Sequence, residues 1–452
     1  MCQAGECGLA LGTGRFVAFA LSASKPHEDH GEPAQHCDPL EVRARFGTLP
    51  AGARALMLLE LPSNRAEAWR WSDLSQLPTH AAATPTGEVP TALPWLLGEG
   101  PRLLFVDGVF DAGRSAPGDV TLGGVALDGG SHALARLAGT TGWRLNLGRG
   151  HAASGLVQII HLTTGGDDHL AAEIVLGEDA QASVLETFIG RGWTNRLTRI
   201  DLARSARLML ARRLLGDNGF VSTVDRAEVG QGASLTMTSL AAGGTDSRFD
   251  GHVTLTGTGA YAEANGALLA RGRERHDVNL VLRHAEPDGS SHQSWRSVAD
   301  NRATVSVAAR IEVARGAQKT DAVQSLKGLL LARTGTINAK PELEIFADDV
   351  KCAHGATVGE LDRNVLFYLQ SRGVPLAEAK ALLTQAFVAG AIDRIGDEAV
   401  RSAFEADVAN WFAKAPPLEG RGWGGAVSSQ TDDGRAVLTL APTPTPPLKG
   451  RG

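Results

Sequence analysis

The middle of this chain contains an internal repeat of about 27 residues, which restricts the possible folds more than any other feature of the sequence. Each copy follows the pattern apolar-x-apolar-x-x-x-Ala-x-apolar-x-apolar. The central alanines Ala180, Ala206, Ala233 and Ala260 lie 26, 27 and 27 residues apart, and a weaker copy centres on Ala317. The clearest copies and the last copy contain Ile174, Leu176, Ala180, Ala182 and Val184; Ile200, Leu202, Ala206, Leu208 and Leu210; Ala227, Val229, Ala233, Leu235 and Met237; and Ile337, Pro341, Leu343 and Ile345.

The strands of one copy cannot bury their apolar residues alone, so successive copies must stack on one another. The apolar residues recur with a period of two, and short turns rich in Gly, Asp and Asn join the strands. No helical pattern lies between the strands, which argues against a βαβ fold. A parallel β-helix stacks its copies and joins its strands without helices. The small alanine would allow the chain to bend at each corner. We therefore predict a mainly β protein.

The composition and periodicity of the whole chain indicate five segments. We predict a mobile leader at residues 1–37, an N-terminal helical region and linker at 38–97, the β-helix core at 98–355, a helical bundle at 356–413 and a disordered tail at 414–452. Pro and Thr accumulate toward the end of the second segment, which is typical of a linker. The tail is rich in Pro, Gly and Thr, which is typical of disorder.

The N-terminal 97 residues contain no convincing functional motif. Their apolar stretch Phe16–Leu21 is too short for an export signal and has no basic region ahead of it. Cys2 and Cys7 are not followed by a second pair of metal ligands. We therefore expect a reducing, cytoplasmic location. Trp69 and Trp71 are predicted to be packing anchors.

Apolar residues at helical spacing predict three short amphipathic helices after the strand region. Gly373 is suited to end the first helix, and Pro375 is suited to begin the second. These helices must pack against another surface, and we predict that they cap the end of the β-helix, as stacked repeats require. The three apolar stripes are Leu361, Val365, Leu366 and Leu369; Leu376, Ala379, Leu382, Leu383 and Phe387; and Val400, Phe404, Val408 and Phe412.

After the first 37 residues the chain has a single cysteine, Cys352, and His354 follows two residues later. On an extended strand the two side chains point to the same face, roughly 7 Å apart. A thiolate and an imidazole can form part of a metal site, but zinc and iron–sulfur clusters normally take four protein ligands. The pair is therefore either half of a site that another chain completes, or a buried structural cysteine beside a hydrogen-bonded histidine. These residues alone leave both interpretations open.

The rest of the sequence argues against several other functions. The net charge is −6, with Lys and Arg spread throughout, which does not favour nucleic acid or an anionic membrane as a partner. No apolar run reaches the length of a membrane-spanning helix. The motifs G-x-x-x-x-G-K-[ST], G-x-S-x-G, H-E-x-x-H and C-x-x-C are absent from the sequence. Asp348 and Asp349 are predicted to form a turn, and His276, His284 and His292 are predicted to be ordinary solvated histidines.

Several segments resemble the SufB/SufD family of iron–sulfur cluster assembly proteins, and specifically its SufD branch. The closest resemblance is to the C-terminal signature of that branch. The resemblance covers about residues 60–412, and it departs from the usual pattern at Ala353, where Ser is common, and at Arg296, where Lys is common. The segments that carry it are EIFADDVKCAHGATVGELD at 344–362, LFYLQSRG at 366–373, GAQKTDAVQ at 316–324, LLLAR at 329–333 and EAWRWSDL at 67–74.

The resemblance implies a right-handed parallel β-helix that acts as a non-catalytic scaffold subunit. It implies pairing with the related SufB subunit through the β-helix, and a transient iron–sulfur cluster at that interface. His354 would be a ligand of the cluster, and Cys352 is a second candidate. It also implies that SufC, an ABC-type ATPase, docks on the C-terminal helices. The candidate contact residues for SufC are Leu366, Phe367, Tyr368 and Arg372.

Two alternatives are a SufB-like paralogue and a β-helix carbohydrate-active enzyme. SufB members carry His-Glu-Ala-Thr-Thr at this motif and further cysteines in the β-helix, whereas here Gly-Ala-Thr follows His354 and residues 38–351 contain no cysteine. Polysaccharide lyases of this fold are typically secreted and have a cleft of charged residues, and the sequence indicates neither. Without a phosphate-binding loop, this chain is not expected to bind ATP itself. Sulfur donors and acceptor proteins would act on the complex indirectly, and the sequence makes no prediction about a flavin.

Overall fold

The computed structural model describes residues 61–414. The predicted leader, the start of the N-terminal helical region and nearly all of the predicted tail lie outside these residues. The strands are β1 Arg102–Val106, β2 Val109–Phe110, β3 Val120–Gly124, β4 Thr141–Leu147, β5 Ala152–Thr163, β6 Asp167–Leu176, β7 Gln181–Leu202, β8 Arg207–Leu214, β9 Asn218–Val229, β10 Ser234–Ala241, β11 Asp246–Leu255, β12 Tyr261–Ala270, β13 Arg275–His284, β14 Ser290–Ala299, β15 Thr304–Val313, β16 Asp321–Leu330, β17 Thr336–Ile345 and β18 Lys351–Glu360. The helices are α1 Leu77–Ala82, α2 Arg363–Ser371, α3 Leu376–Ile392 and α4 Glu398–Ala413.

The strands wind into a parallel β-helix, as predicted. From β5 onward each strand pairs in parallel with the strand one coil later, so that β12 pairs with β14 and β13 with β15. Two sheets result, and we call them sheet A, which ends at β18, and sheet B, which ends at β17. The long strand β7 crosses from sheet A to sheet B. The chain makes this bend at Gly190 and Gly192, whose φ angles of 90° and 117° favour glycine.

The period of two in the sequence is the alternation between the inside and the outside of the coil. In β13 the side chains of Val278, Leu280 and Leu282 are buried in the core between the two sheets. Val278 stands beside Val307 of the next coil, and the same register continues along both strands. Each inward side chain is therefore covered by the equivalent residue of its neighbour.

The central alanines of the repeat occupy the corners of the coils. Ala180, Ala206 and Ala233 are all fully buried. The Ala206 N–H donates to the carbonyl of Ala203, three residues earlier, at 3.1 Å. The residue before it, Ser205, has a left-handed φ of 57°. A tight turn with a methyl group packed inside it explains why the repeat keeps a small residue here.

The C-terminal helices do not cap the coil, so that prediction was wrong. Helices α3 and α4 pack instead on the outer face of sheet A, where Phe404 and Val388 meet Leu240 and Leu269. The predicted second stripe is also only partly correct, because α3 buries Ala379, Thr384, Val388, Ala391 and Ile392 and leaves Leu376 and Leu382 exposed. The outer face of sheet A is itself apolar, and it buries the apolar residues of both helices.

The structure also moves the predicted end of the strand region. Strand β18 continues to Glu360 rather than stopping at residue 355, because its ten residues pair in register with β16. At the other end, the predicted linker contains α1 and then runs along the coil. Its residues Val89, Leu93 and Trp95 pack beside Leu104 and Ile160.

The N-terminal segment is held on sheet B by an aromatic and a charged side chain. Trp69 is buried, as predicted for a packing anchor, and the Arg248 guanidinium lies 3.8 Å from its ring centre. Arg248 also pairs with Asp250 at 2.6 Å and with Asp277 at 2.5 Å. Trp71 is only half-buried.

A chain of charged side chains crosses the first coils inside the core. Glu186 accepts a hydrogen bond from Arg212 Nε at 2.7 Å, and its other oxygen lies 3.1 Å from His161 Nε2. Arg212 also donates to Asp225 at 2.9 Å. Burial by itself would raise the pKa of Glu186, but the Arg212 guanidinium and His161 outweigh it and lower the pKa to about 2. Glu186, Arg212 and Asp225 each have a partner of opposite charge in this row, which buried ions require.

Two of the three regularly spaced histidines are buried, so the prediction that all three are solvated was wrong. His276 and His284 point into the core of sheet B, and His292 is half-buried. His276 Nδ1 lies 2.8 Å from Ser247 Oγ, and its Nε2 lies 3.2 Å from the Leu269 carbonyl oxygen. Burial lowers the pKa of His276 to about 4. His276 and His284 are neutral core residues with hydrogen-bond partners.

We expect His276 to make stability depend on pH in a defined window. The unfolded histidine takes up a proton near pH 6.5, whereas the folded one stays neutral down to about pH 4. Its contribution is therefore complete above pH 6.5 and declines as the pH falls toward 4. His276→Gln should be less stable than the parent at pH 7.5, and the difference should shrink by about 2 kcal/mol at pH 5.

Urea unfolding of both proteins at the two pH values measures this change. The matched control is the same substitution at an exposed position, His151→Gln, which removes an imidazole from the surface rather than from the core. An equal difference at both pH values for His276→Gln would contradict the prediction.

Candidate functional site

The last coil of the β-helix is open. Strand β17 pairs with β15 and β18 pairs with β16, and no strand among residues 61–414 pairs with their other edges. Most residues of β18 are exposed and most of β17 are half-buried. Ile345, Phe346 and Val358 are exposed apolar residues on or next to these strands. An unpaired strand edge with exposed apolar side chains is a surface that another strand can join.

Cys352 and His354 both lie on β18, at this open end. Cys352 stands beside Ala322 of β16, and His354 stands beside Gln324. Ala322 and Gln324 are buried inward-facing residues, so the residues beside them occupy the inward side of the terminal coil. The structure therefore places the two candidate ligands together at the end of the core, one coil beyond the last fully covered layer.

Cys352 is partly buried in a small apolar cluster. It packs with Leu343 and Val350 against the buried residues Ile311 and Ala322. Burial raises the pKa of the Cys352 thiol, and the negative charge of Asp321 adds to the effect. A protonated thiol is a poor metal ligand. This environment matches the structural interpretation of the cysteine more closely than the ligand interpretation.

His354 has different surroundings. Its side chain belongs to an exposed residue, and it forms no hydrogen bond with any other residue in the described range. The neighbouring backbone is also uncovered, because a methyl group placed on Gly355 would meet no described atom within 4 Å. The alternative of a buried structural histidine does not fit this exposed position. An accessible imidazole of this kind can bind a metal through the lone pair of one nitrogen.

Two buried glutamines line the core directly behind His354. Gln324 and Gln293 stand beside each other on neighbouring coils and are almost fully buried. Gln324 Nε2 donates to Gln293 Oε1 at 3.3 Å, and Gln293 Nε2 donates to the Arg310 carbonyl oxygen at 3.4 Å. We call these two residues the glutamine ladder. Gln324 Oε1 is buried and accepts no hydrogen bond from residues 61–414.

The turn before β18 fixes the position of the strand. The Asp349 N–H donates to Gln318 Oε1 at 2.9 Å, and the Lys319 N–H donates to the Asp349 carbonyl oxygen at 2.5 Å. Asp348 and Asp349 form a bend between β17 and β18, as the sequence predicts. Their carboxylates are exposed and contribute turn geometry at this end of the coil.

A second candidate surface lies on α2. The Asp362 side chain accepts a hydrogen bond from the Asn364 N–H and so begins the helix. No residue of α2 is fully buried. Phe367 is 72% exposed and Tyr368 is 56% exposed, and the Arg372 guanidinium lies 5.2 Å from the Tyr368 ring centre. The predicted contact residues Phe367, Tyr368 and Arg372 are thus accessible, while Leu366 is half-buried.

Sequence reasoning did not assign a role to the glutamine ladder, although a signal was present. Gln293, Gln324 and His354 are separated by 31 and 30 residues, which is close to the length of one coil. Counting along the repeat would have aligned them. The alanines of the repeat do not reveal this alignment, because no alanine-centred copy lies between Ala260 and Ala317.

Residues 61–414 contain no group of three or more His, Cys, Asp or Glu side chains arranged to hold a metal ion. No helix in this range combines the length and apolar character needed to cross a bilayer. The cytoplasmic location stays a prediction.

Comparison with known families gives a match over the strand region. Residues 163–387 match the model of the SufBD core domain, described as a domain of SUF system FeS cluster assembly. The matched range begins at the end of β5 and runs into α3. It therefore includes Gln293, Gln324, His354 and the surface of α2.

Individual relatives carry related names. The chain is 26% identical over 375 residues to the iron–sulfur cluster assembly protein SufD of Escherichia coli, covering 76% of this chain and 88% of the relative. It is 28% identical over 404 residues to a SufBD family iron–sulfur cluster assembly protein of Synechocystis, covering 79% and 88%. A shorter match, 29% over 147 residues, is to SufD of Bacillus subtilis, covering 32% of this chain and 34% of the relative.

Proposed function

The chain belongs to the SufB/SufD family of iron–sulfur cluster assembly proteins, and from this premise we propose that it is a non-catalytic scaffold subunit on which a nascent cluster is built. The observation that carries the proposal is the open terminal coil, which presents His354 beside two unpaired strand edges. The cluster is the cargo of the scaffold. His354 is the ligand from this chain, and a related subunit supplies the remaining ligands.

The partner at the open coil is a SufB subunit. Strands β17 and β18 each offer ten residues of backbone, so a partner with the same fold could continue both sheets across the interface. The exposed Ile345, Phe346 and Val358 would be buried by that contact. Strand addition of this kind takes its affinity from main-chain hydrogen bonds and its specificity from the side chains beside them.

We expect a charge at Phe346 to weaken pairing with SufB. Phe346 is 64% exposed, so Phe346→Asp should leave the isolated chain folded. At the interface, however, it would bury an unpaired carboxylate, which is costly. The yield of the complex from co-expression, measured by affinity purification on SufB, should fall strongly.

The matched control is Val109→Asp, because Val109 is a similarly exposed apolar residue on β2. Its complex yield should equal that of the parent. Equal yields for both variants would remove Phe346 from the interface.

His354 is the preferred ligand because its imidazole is accessible, whereas the Cys352 thiol is partly buried and stays protonated. An imidazole nitrogen binds iron readily, and a thiolate of the partner chain would complete the pairing of ligands. Divided ligation explains why a single donor from this chain is sufficient on this side of the interface.

We expect His354→Ala to abolish cluster assembly without preventing assembly of the protein complex, since the side chain is exposed and carries no core packing. Cys352→Ala should have a milder effect on the cluster and a small cost in stability from lost packing. Iron and sulfide per complex, measured after anaerobic co-expression with SufB and SufC, test both variants. Normal cluster content in the His354 variant would refute its assignment as a ligand.

The exposed surface of α2 is proposed to dock the SufC ATPase. Phe367 and Tyr368 are large, exposed and adjacent, and Arg372 extends the surface with a positive charge. Aromatic and arginine side chains contribute most of the binding energy in many protein interfaces. Because this chain has no phosphate-binding loop of its own, ATP hydrolysis in the complex would belong to SufC.

We expect Phe367→Ala to weaken SufC binding by about 10-fold or more, as loss of an aromatic anchor typically does. The reason is that Phe367 contributes little to the fold but a large apolar area to a partner. Isothermal titration calorimetry of the purified chain with SufC gives the dissociation constant. Val109→Ala serves as the control, and an unchanged dissociation constant for Phe367→Ala would place the docking site elsewhere.

A further inference from the structure

We infer that Gln324 is a positioning residue for His354, which it holds in the tautomer that leaves Nε2 free to bind a metal. This inference deepens the proposed function and rests on it for the role of His354. Its basis is the glutamine ladder, which is buried, polar and in register with His354. The mechanism requires that Gln324 present an oxygen, rather than an amide N–H, to the imidazole.

The hydrogen-bond order of the ladder fixes the orientation of both amides. The Arg310 carbonyl is only an acceptor, so Gln293 must direct Nε2 toward it. Gln293 therefore presents Oε1 to the next coil, and Gln324 donates a hydrogen bond to it from Nε2. The two branches of a carboxamide diverge, so Oε1 of Gln324 is left on the side of the terminal coil. The orientation of the Gln324 amide therefore follows from that of Gln293, which the Arg310 carbonyl determines.

The free oxygen needs a donor, and His354 is the residue in register with it. A buried carbonyl oxygen without a hydrogen bond is unfavourable, and Gln324 Oε1 is such an atom within the described range. Adjacent parallel strands lie about 4.8 Å apart, so an imidazole turned inward from β18 can reach this oxygen, whereas in the structure His354 is exposed and makes no hydrogen bond within the described range. Of the two ring nitrogens, Nδ1 is bonded next to the side-chain branch point and lies closer to the strand.

The consequence for ligation follows from the two ring nitrogens. With Nδ1–H donating to Gln324 Oε1, the hydrogen of the neutral ring is on Nδ1 and the lone pair is on Nε2. Nε2 then faces the open end of the coil, where a metal would arrive. Hydrogen bonds to the far nitrogen of a ligating histidine commonly fix its tautomer and orientation, and their removal typically lowers metal affinity by about 10- to 100-fold.

The first test uses the full-length chain without any metal. Nitrogen-15 NMR of the imidazoles at pH 8, with the His354 signal assigned through His354→Ala, reports which nitrogen carries the hydrogen. The Nδ1–H form should predominate in the parent protein. Gln324→Met, which keeps the volume and removes the acceptor, should lose this preference, while Gln324→Glu, which keeps an acceptor oxygen, should retain it. An identical tautomer ratio in the parent and in Gln324→Met would overturn the inference.

The second test measures iron and sulfide per complex after anaerobic co-expression with SufB and SufC. Gln324→Met should lower cluster content about 10-fold at unchanged complex yield, and Gln324→Glu should restore part of it. Full cluster content in Gln324→Met would overturn the positioning role. Full content in His354→Ala, together with a tautomer change in Gln324→Met, would instead refute the proposed function and leave the hydrogen bond standing.

Discussion

Every coil of this protein depends on its neighbour to bury its inward face. Val278 is covered because Val307 stands beside it on the next coil, and the same holds for each position along the strand. In a stack of this kind the terminal coil has no neighbour on one side, so that side stays uncovered. Here the C-terminal helices cover the outer face of sheet A and leave the end of the coil open. The incomplete coil is therefore a direct result of the architecture, and it is the place where a partner of the same fold gains most.

Polar side chains inside the coil follow two different patterns along its length. Near the beginning, Glu186, Arg212 and Asp225 form ion pairs in which each charge has an opposite partner. Such pairs add little net stability but strongly penalise a shift of one strand against another, because a shift would leave a charge unpaired. Near the end, the buried polar groups include the uncharged amides of Gln293 and Gln324. An amide costs less to leave partly unsatisfied than a charge, so a polar column that reaches an open end is better built from amides.

The sequence was sufficient to predict the fold because the repeat encodes its own contacts. Alternation specified inside and outside, and the spacing of the alanines specified the corners. The packing of the helices was not predictable in the same way. Leu376 and Leu382 belong to an apolar stripe yet are exposed, since the face that α3 buries depends on the outer surface of sheet A. The burial of His276 and His284 was not predictable for a related reason, because the residue type alone does not distinguish a neutral buried histidine from a solvated one.

The candidate site shows how register separates two neighbouring residues. Cys352 and His354 are two positions apart on the same face of β18, so sequence spacing treats them as equivalent ligands. The preceding coil distinguishes them. Beside Cys352 stands Ala322, part of an apolar cluster that raises the pKa of the thiol, whereas beside His354 stands Gln324, with a free acceptor oxygen. Apolar surroundings oppose the charged thiolate, whereas the His354 imidazole stays exposed. The same strand thus supplies one packing residue and one accessible candidate ligand, and the difference is set by residues about 30 positions earlier in the chain.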